Sequence, residues 1–187
     1  MIPIRNKKKT LQVTVEEMRN FAFAYVEKYA PSKQQLKTYL LKKYLKTSIT
    51  NVKKQDVNNL IDIVLSDLEK NKFINDKFYS ETKAKSMIRR GNSINKIRSY
   101  LIAKGIRDDF IKETVNKIQD ENSDQDFFSA IKICKKKRIG PARVNDNRAL
   151  FYKKDISLLA RNGFDFETSK KIMDLEKEDY LKIIKLL

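Results

Sequence analysis

Apolar residues recur along this chain at three- and four-residue intervals, the period of helices that bury one face. Met18, Phe21, Ala22, Tyr25, Val26 and Tyr29 form the first stripe. It is opened by Thr14-Val15-Glu16-Glu17, which has the spacing of a capping box, and is stopped at Pro31. Ser32 and Gln35 repeat the capping-box pattern ahead of Leu36, Tyr39, Leu40 and Tyr44. A polar, β-branched stretch from Thr47 to Gln55 reads as a long loop. Val57, Leu60, Ile61, Val64, Leu65 and Leu68 then give the most regular stripe in the chain. β-Branched residues fall into these helical patterns rather than alternating, so the sequence predicts an all-α fold.

The middle of the chain, from Asn71 to Ile118, divides into three short helices with their own start and stop signals. Asp76 is placed to cap the first and Gly91 to end it in a left-handed residue; Ser93 caps the second and Gly105 closes it. Asp108 and Asp109 put negative charge on the first turn of the third, where the helix dipole favours it. Ile94, Ile97, Tyr100 and Leu101 line one side of the second helix, and Ile111, Val115 and Ile118 one side of the third. Helices this short are unstable alone, so they bury their stripes on one another as a three-helix module of roughly fifty residues.

Beyond Ile118 the run Q-D-E-N-S-D-Q-D reads as a hinge, followed by a helix carrying Phe127, Ile131 and Cys134. Gly140-Pro141 breaks the pattern. Further helices end at Leu158 to Phe164, start from a cap at Asp165, and cover Asp179 to Leu187. The module is repeated: Ser32, Leu36, Tyr39 and Leu40 stand 61 positions before Ser93, Ile97, Tyr100 and Leu101. A weaker match, at 58 positions, sets Tyr100, Leu101, Gly105 and Ile106 against Leu158, Leu159, Gly163 and Phe164. The expected architecture is an elongated tandem array of three three-helix repeats. Its parts are a flexible basic arm at 1–13 and repeats at 14–72, 73–121 and 122–187, the last with an extra C-terminal helix.

Charge changes the picture from fold to function. The chain carries 41 Lys and Arg against 24 Asp and Glu, a net charge of +17, which favours a polyanionic partner, most often nucleic acid. Enzyme chemistry finds little support. There is no His, the four glycines are isolated, and the carboxylate pairs Glu16/Glu17, Asp108/Asp109 and Asp124/Asp126 sit at predicted helix starts where capping accounts for them. Cys134 is the only cysteine, so it forms no intrachain disulfide or cysteine-based zinc site; the neighbouring lysines could activate its thiol, but it reads as a structural residue on an apolar face. No cofactor or metal is expected. No apolar run is long enough to span a bilayer, and the N-terminus lacks the apolar core of a secretory signal, so the expected setting is the cytoplasm.

On the helix from Lys77 to Arg90, Ala84, Met87 and Ile88 point inward. Lys83, Lys85, Arg89 and Arg90 spread over the opposite arc, with Tyr79 beside it as an exposed aromatic. Lys96, Arg98 and Lys104 extend that polarity on the next helix, and Lys135, Lys136, Lys137 and Arg138 make a separate patch. Cations beside an aromatic suit phosphates and a stacked base, or an acidic protein groove.

Phe73-Ile74-Asn75-Asp76-Lys77-Phe78, followed by Arg89-Arg90-Gly91, Ile97, Leu101 and Lys104-Gly105-Ile106, resembles the signature of the RecX family, regulators of the RecA recombinase. Ser32 to Leu40 resembles that family's first repeat and Leu158 to Phe164 its last, so the likeness spans roughly Met18 to Met173. The chain departs from the family's pattern at Tyr44, where a glycine commonly ends the helix, in the long loop from Thr47, and at Gly140-Pro141. The resemblance implies a monomer that binds the RecA filament and the single-stranded DNA within or beside it, and that inhibits ATP hydrolysis and strand exchange. Two other readings remain on the residues alone: a stand-alone, sequence-non-specific DNA- or RNA-binding helical protein, and an adaptor between proteins.

Overall fold

The computed structural model describes residues 11–46 and 53–187. Among them are ten α-helices and one 3-10 turn, and no strand. The chain divides into two compact units, Met1–Asp76 and Lys77–Leu187.

The first unit packs α1 (Val15–Tyr29), α2 (Lys33–Lys46) and α3 (Lys54–Lys70) around Met18, Ala22, Leu36, Leu40, Tyr44, Ile61 and Leu65. Both expected caps form. Thr14 Oγ1 accepts the Glu17 N–H at 3.3 Å, while Ser32 and Gln35 bond reciprocally, each backbone N–H to the other's side-chain oxygen at 3.2 Å. Tyr44 stays inside α2 and is buried, its hydroxyl 3.5 Å from Glu17. Leu11 and Val13 pack on this core; positions 1–10 of the expected basic arm, and positions 47–52 of the expected loop, lie outside the described residues. Gln55 is already helical.

Asp76 does not cap its own helix. It is the first residue of α4 (Asp76–Arg89), and its Oδ1 instead accepts the N–H of Lys33, the opening residue of α2, at 2.8 Å. The carboxylate thus fills one of the open donors at the start of another helix. Burial pushes its pKa up, with the Lys33 N–H opposing.

The second unit holds two apolar clusters. α4, α5 (Ile94–Ala103) and α6 (Asp108–Glu121) enclose Tyr79, Ala84, Ile97, Leu101, Ile111, Val115 and Ile118. α7 (Gln125–Lys137), the turn Gly140–Ala142, α8 (Asn145–Arg161), α9 (Phe166–Met173) and α10 (Lys177–Leu186) enclose Ile131, Cys134, Leu159, Ile172 and Tyr180. The expected eight-residue hinge shrinks to Asn122, Ser123 and Asp124, because α6 runs on to Glu121 and α7 starts at Gln125. Gly91 ends α4 at φ +80°, donating to Ile88 O while Asn92 donates to Met87 O. A side chain there would press on Ser129 O of α7, 3.0 Å from a Cβ.

The positions paired by spacing share their burial. Ser32, Leu36 and Leu40 are fully buried, as are Ser93, Ile97 and Leu101, while Tyr39 and Tyr100 are both half-buried. A distant carboxylate recurs too: the Ile94 N–H, next after Ser93, donates to Asp126 Oδ1 at 2.8 Å, as the Lys33 N–H next after Ser32 donates to Asp76.

Candidate functional site

α4 carries the central cations. Its buried side is fixed by Ser80, whose Oγ lies 2.9 Å from Thr114 Oγ1 of α6, and by Ala84. Ion pairs Lys77–Glu113 and Lys117–Glu81 join the same two helices. Tyr79 corrects the sequence reading. It is 6% exposed, its hydroxyl 3.2 Å from that of Tyr100, and Lys83 covers its ring at 5.4 Å. α4 is covered by both α5 and α6, which widens its buried arc beyond the one that Ala84, Met87 and Ile88 define.

Phe78 is the aromatic that shares the cationic face. It is 67% exposed. At 100° per residue Phe78, Thr82, Lys85 and Arg89 fall within a sector of about 60°. Lys83 lies on the other flank, and Arg90 follows the last helical residue. Lys85 and Arg89 line a shallow groove of about 550 Å³ with Ile88, Ile118, Glu121 and Gln125. Its floor is apolar, with cations on one wall and a carboxylate on the other.

The α5 cations divide. Lys96 is committed internally: its Nζ donates to Asn162 Oδ1 at 2.8 Å, beside Ser93 Oγ, which donates to Asn162 O at 2.8 Å. Arg98 is exposed, and Lys104 lies 5.2 Å from the Tyr100 ring. Lys135, Lys136, Lys137 and Arg138 are all exposed at the end of α7, where positive charge also complements the helix dipole. Arg138 is left-handed at φ +54° and donates to Cys134 O.

Cys134 is buried and its thiol pKa is pushed up to about 12, by burial first and then by Asp155, opposite to the direction in which the neighbouring lysines would act. Asp108 and Asp109 lie in the first turn of α6, with Asp109 held by Arg107. Among the described residues no cluster of three or more acidic or sulfur side chains is arranged to hold a metal ion. Nor is any helix long and apolar enough to cross a membrane. The arrangement is one for contact: exposed cations at fixed spacing, one exposed aromatic, and an amphipathic groove.

No family model matches the chain. The regulatory protein RecX of Myxococcus xanthus (strain DK1622) is 30% identical to it over 173 residues, which cover 91% of this chain and 91% of the relative. Among solved structures, the crystal structure of a regulatory protein RecX matches with a TM-score of 0.59 at 18% identity, over 86% of this chain and 74% of that one. At that identity the structural match speaks for the fold.

Proposed function

The chain belongs to the RecX family, and from that membership we propose that it regulates a RecA-type recombinase by binding the filament formed on single-stranded DNA. In this reading it lies along the filament in the cytoplasm as a monomer and suppresses ATP hydrolysis and strand exchange without catalysing a reaction itself. The observation that carries the reading is the nearly end-to-end likeness to a regulatory protein. The cations on and beside α4, α5 and α7 supply the physical means: the exposed Lys85, Arg89, Arg90, Arg98 and Lys135 to Arg138, with the half-buried Lys83 and Lys104, meet acidic filament surface or enclosed DNA. Lys96 stays outside this set, since Asn162 holds its ammonium.

Three helical modules in tandem, over 14–72, 73–121 and 122–187, suit a polymeric host. Each successive contact is made at the high local concentration set by the one before it. Inhibition follows when the bound protein favours one filament state over another, by as much as its affinities for the two differ.

The test is a titration of the protein into the DNA-dependent ATPase of RecA on single-stranded DNA. Inhibition at substoichiometric protein supports the reading. An unchanged ATPase, with the protein saturating naked DNA at the same concentrations, would identify it as a stand-alone nucleic-acid binder.

A further inference from the structure

An aromatic row lies in the first unit, among residues not assigned above. Tyr25 of α1 and Tyr39 of α2 stack face to face, centroids 4.1 Å apart and planes at 13°. Tyr29 continues the row beyond Tyr25 at 4.7 Å, tilted by 45° and 53% exposed. Cations sit over the same rings. Lys28 Nζ is 5.3 Å from the Tyr29 centroid, while Lys43 Nζ lies 3.7 Å from that of Phe21 and 6.0 Å from that of Tyr39.

Three of the chain's eight tyrosines therefore line one surface seam, in a protein with no tryptophan. They differ from Tyr44, Tyr79 and Tyr180, which are buried in the three apolar clusters. Tyr25 and Tyr39 are only half-buried. The Tyr39 hydroxyl is held above its usual pKa by partial burial and by the nearby Tyr25 and Tyr29. Glu17, also on α1, faces the Tyr44 hydroxyl.

We propose that this seam between α1 and α2 binds single-stranded DNA, with unstacked bases continuing the tyrosine row at Tyr29 and with Lys28 and Lys43 meeting the flanking phosphates. A tilted, exposed ring at the end of a stacked pair offers a face that any base can cover. Cations at ring height are within reach of the backbone on either side of that base. Such a site reads no sequence, because every base has a stacking face. The choice of DNA over RNA rests on the filament reading; the stacking site itself does not.

The full-length protein is titrated with oligo(dT) at low and high salt, following tyrosine fluorescence and the anisotropy of the labelled oligonucleotide. No tryptophan masks the tyrosine signal. Wild type is expected to bind with tyrosine quenching. Tyr29→Ala should weaken binding by roughly 5- to 150-fold while Tyr29→Phe retains it. Lys28→Gln should flatten the salt dependence. An abasic oligonucleotide of the same length should bind as weakly as oligo(dT) binds the Tyr29→Ala variant. Exposure of Tyr29 makes its truncation compatible with folding, which far-UV circular dichroism checks.

Wild-type binding by Tyr29→Ala, equal affinity for the abasic strand, or no binding of oligo(dT) would each overturn the site; tighter binding of oligo(rU) would overturn the choice of DNA. If Tyr29→Ala keeps its DNA affinity but loses inhibition of the recombinase, the row is a protein-contact surface and the proposal fails. The assay contains no recombinase. A wild-type protein that inhibits the ATPase but does not bind oligo(dT) therefore sinks this inference alone, and one that binds oligo(dT) through Tyr29 but does not inhibit the ATPase sinks the filament reading alone.

Discussion

Removing the guanidinium of Arg143 should unlock the α7–α8 junction, and the structure gives the size and pH dependence of the effect. Asp155 of α8 is 1% exposed, and its carboxylate accepts three N–H groups: Gly140 N at 2.8 Å, Arg143 Nε at 2.6 Å and Arg143 Nη2 at 2.8 Å. The guanidinium also lies 4.4 Å from the Phe151 ring. Arg143→Ala leaves a buried carboxylate with one donor, a change of the kind that costs about 3–5 kcal/mol. Arg143 is partly hydrated and the Gly140 bond survives, so the lower end applies, about 3 kcal/mol. For a unit of this size that lowers Tm by about 10–15 °C.

Acid distinguishes this account from simple loss of packing. Burial alone pushes the Asp155 carboxyl up, but Arg143 and the Gly140 N–H outweigh it and hold its pKa below the usual range. The wild-type carboxylate therefore stabilises the fold above the unfolded pKa of about 4, and that contribution is lost as pH falls through the depressed folded value. In Arg143→Ala burial dominates, the folded pKa moves above the unfolded one, and the variant gains relative stability on acidification. Urea titrations followed by circular dichroism should show the gap between the two proteins narrowing from neutral pH towards about pH 4. Hydrogen exchange should place the loss in α7 to α9. A cost under about 1 kcal/mol, or a gap that holds or widens in acid, refutes the reasoning.

Arg89→Glu combined with Arg90→Glu should weaken inhibition of the RecA ATPase while leaving helical content unchanged, since both side chains are exposed; wild-type inhibition by the double variant would remove this face from the mechanism. Cys134, buried with its thiol pushed up to about 12, should react with a thiol reagent in mild alkali only as fast as the protein unfolds, and rapid labelling of the folded state would contradict its placement. Gly163→Ala should destabilise the second unit by about 2–4 kcal/mol in urea titrations. At φ +85° a Cβ there runs into Ser93 Oγ and meets Lys96 N at 3.0 Å, so a cost within about 0.5 kcal/mol would show that the α8–α9 turn does not bear on α5.

What could be read from the sequence is what local geometry determines. A serine and a glutamine three residues apart bond to each other's backbone whatever lies beyond, so Ser32 and Gln35 were visible before any tertiary contact. The stripes of α3 and α6 are buried because their spacing leaves one face apolar. Tyr79 and Phe78 show where this logic ends. They are adjacent, about 100° apart on the helix, and which one turns inward depends on a second neighbour that periodicity does not reveal. Ser80 facing Thr114 and Tyr79 meeting Tyr100 record that neighbour, and small polar Ser80 one turn before Ala84 was the available hint.

The acidic residues at helix starts carry the same lesson further. Asp76 and Asp126 have the positions of local caps, yet each closes the N-terminus of an earlier helix, at Lys33 and Ile94. In the second unit the opening turn of α5 consequently has four polar attachments: Asp126 of α7 to its first N–H, Ser93 Oγ to Asn162 O, Asn95 Nδ2 to Gly163 O, and Lys96 Nζ to the Asn162 side chain. These bonds are directional, whereas apolar contacts tolerate sliding. Hydrogen bonds at one helix terminus thus fix α5, and with it Arg98 and Lys104, against α7 and the α8–α9 turn. Lys96, read from the sequence as a binding residue, also takes part in this set of bonds through Asn162.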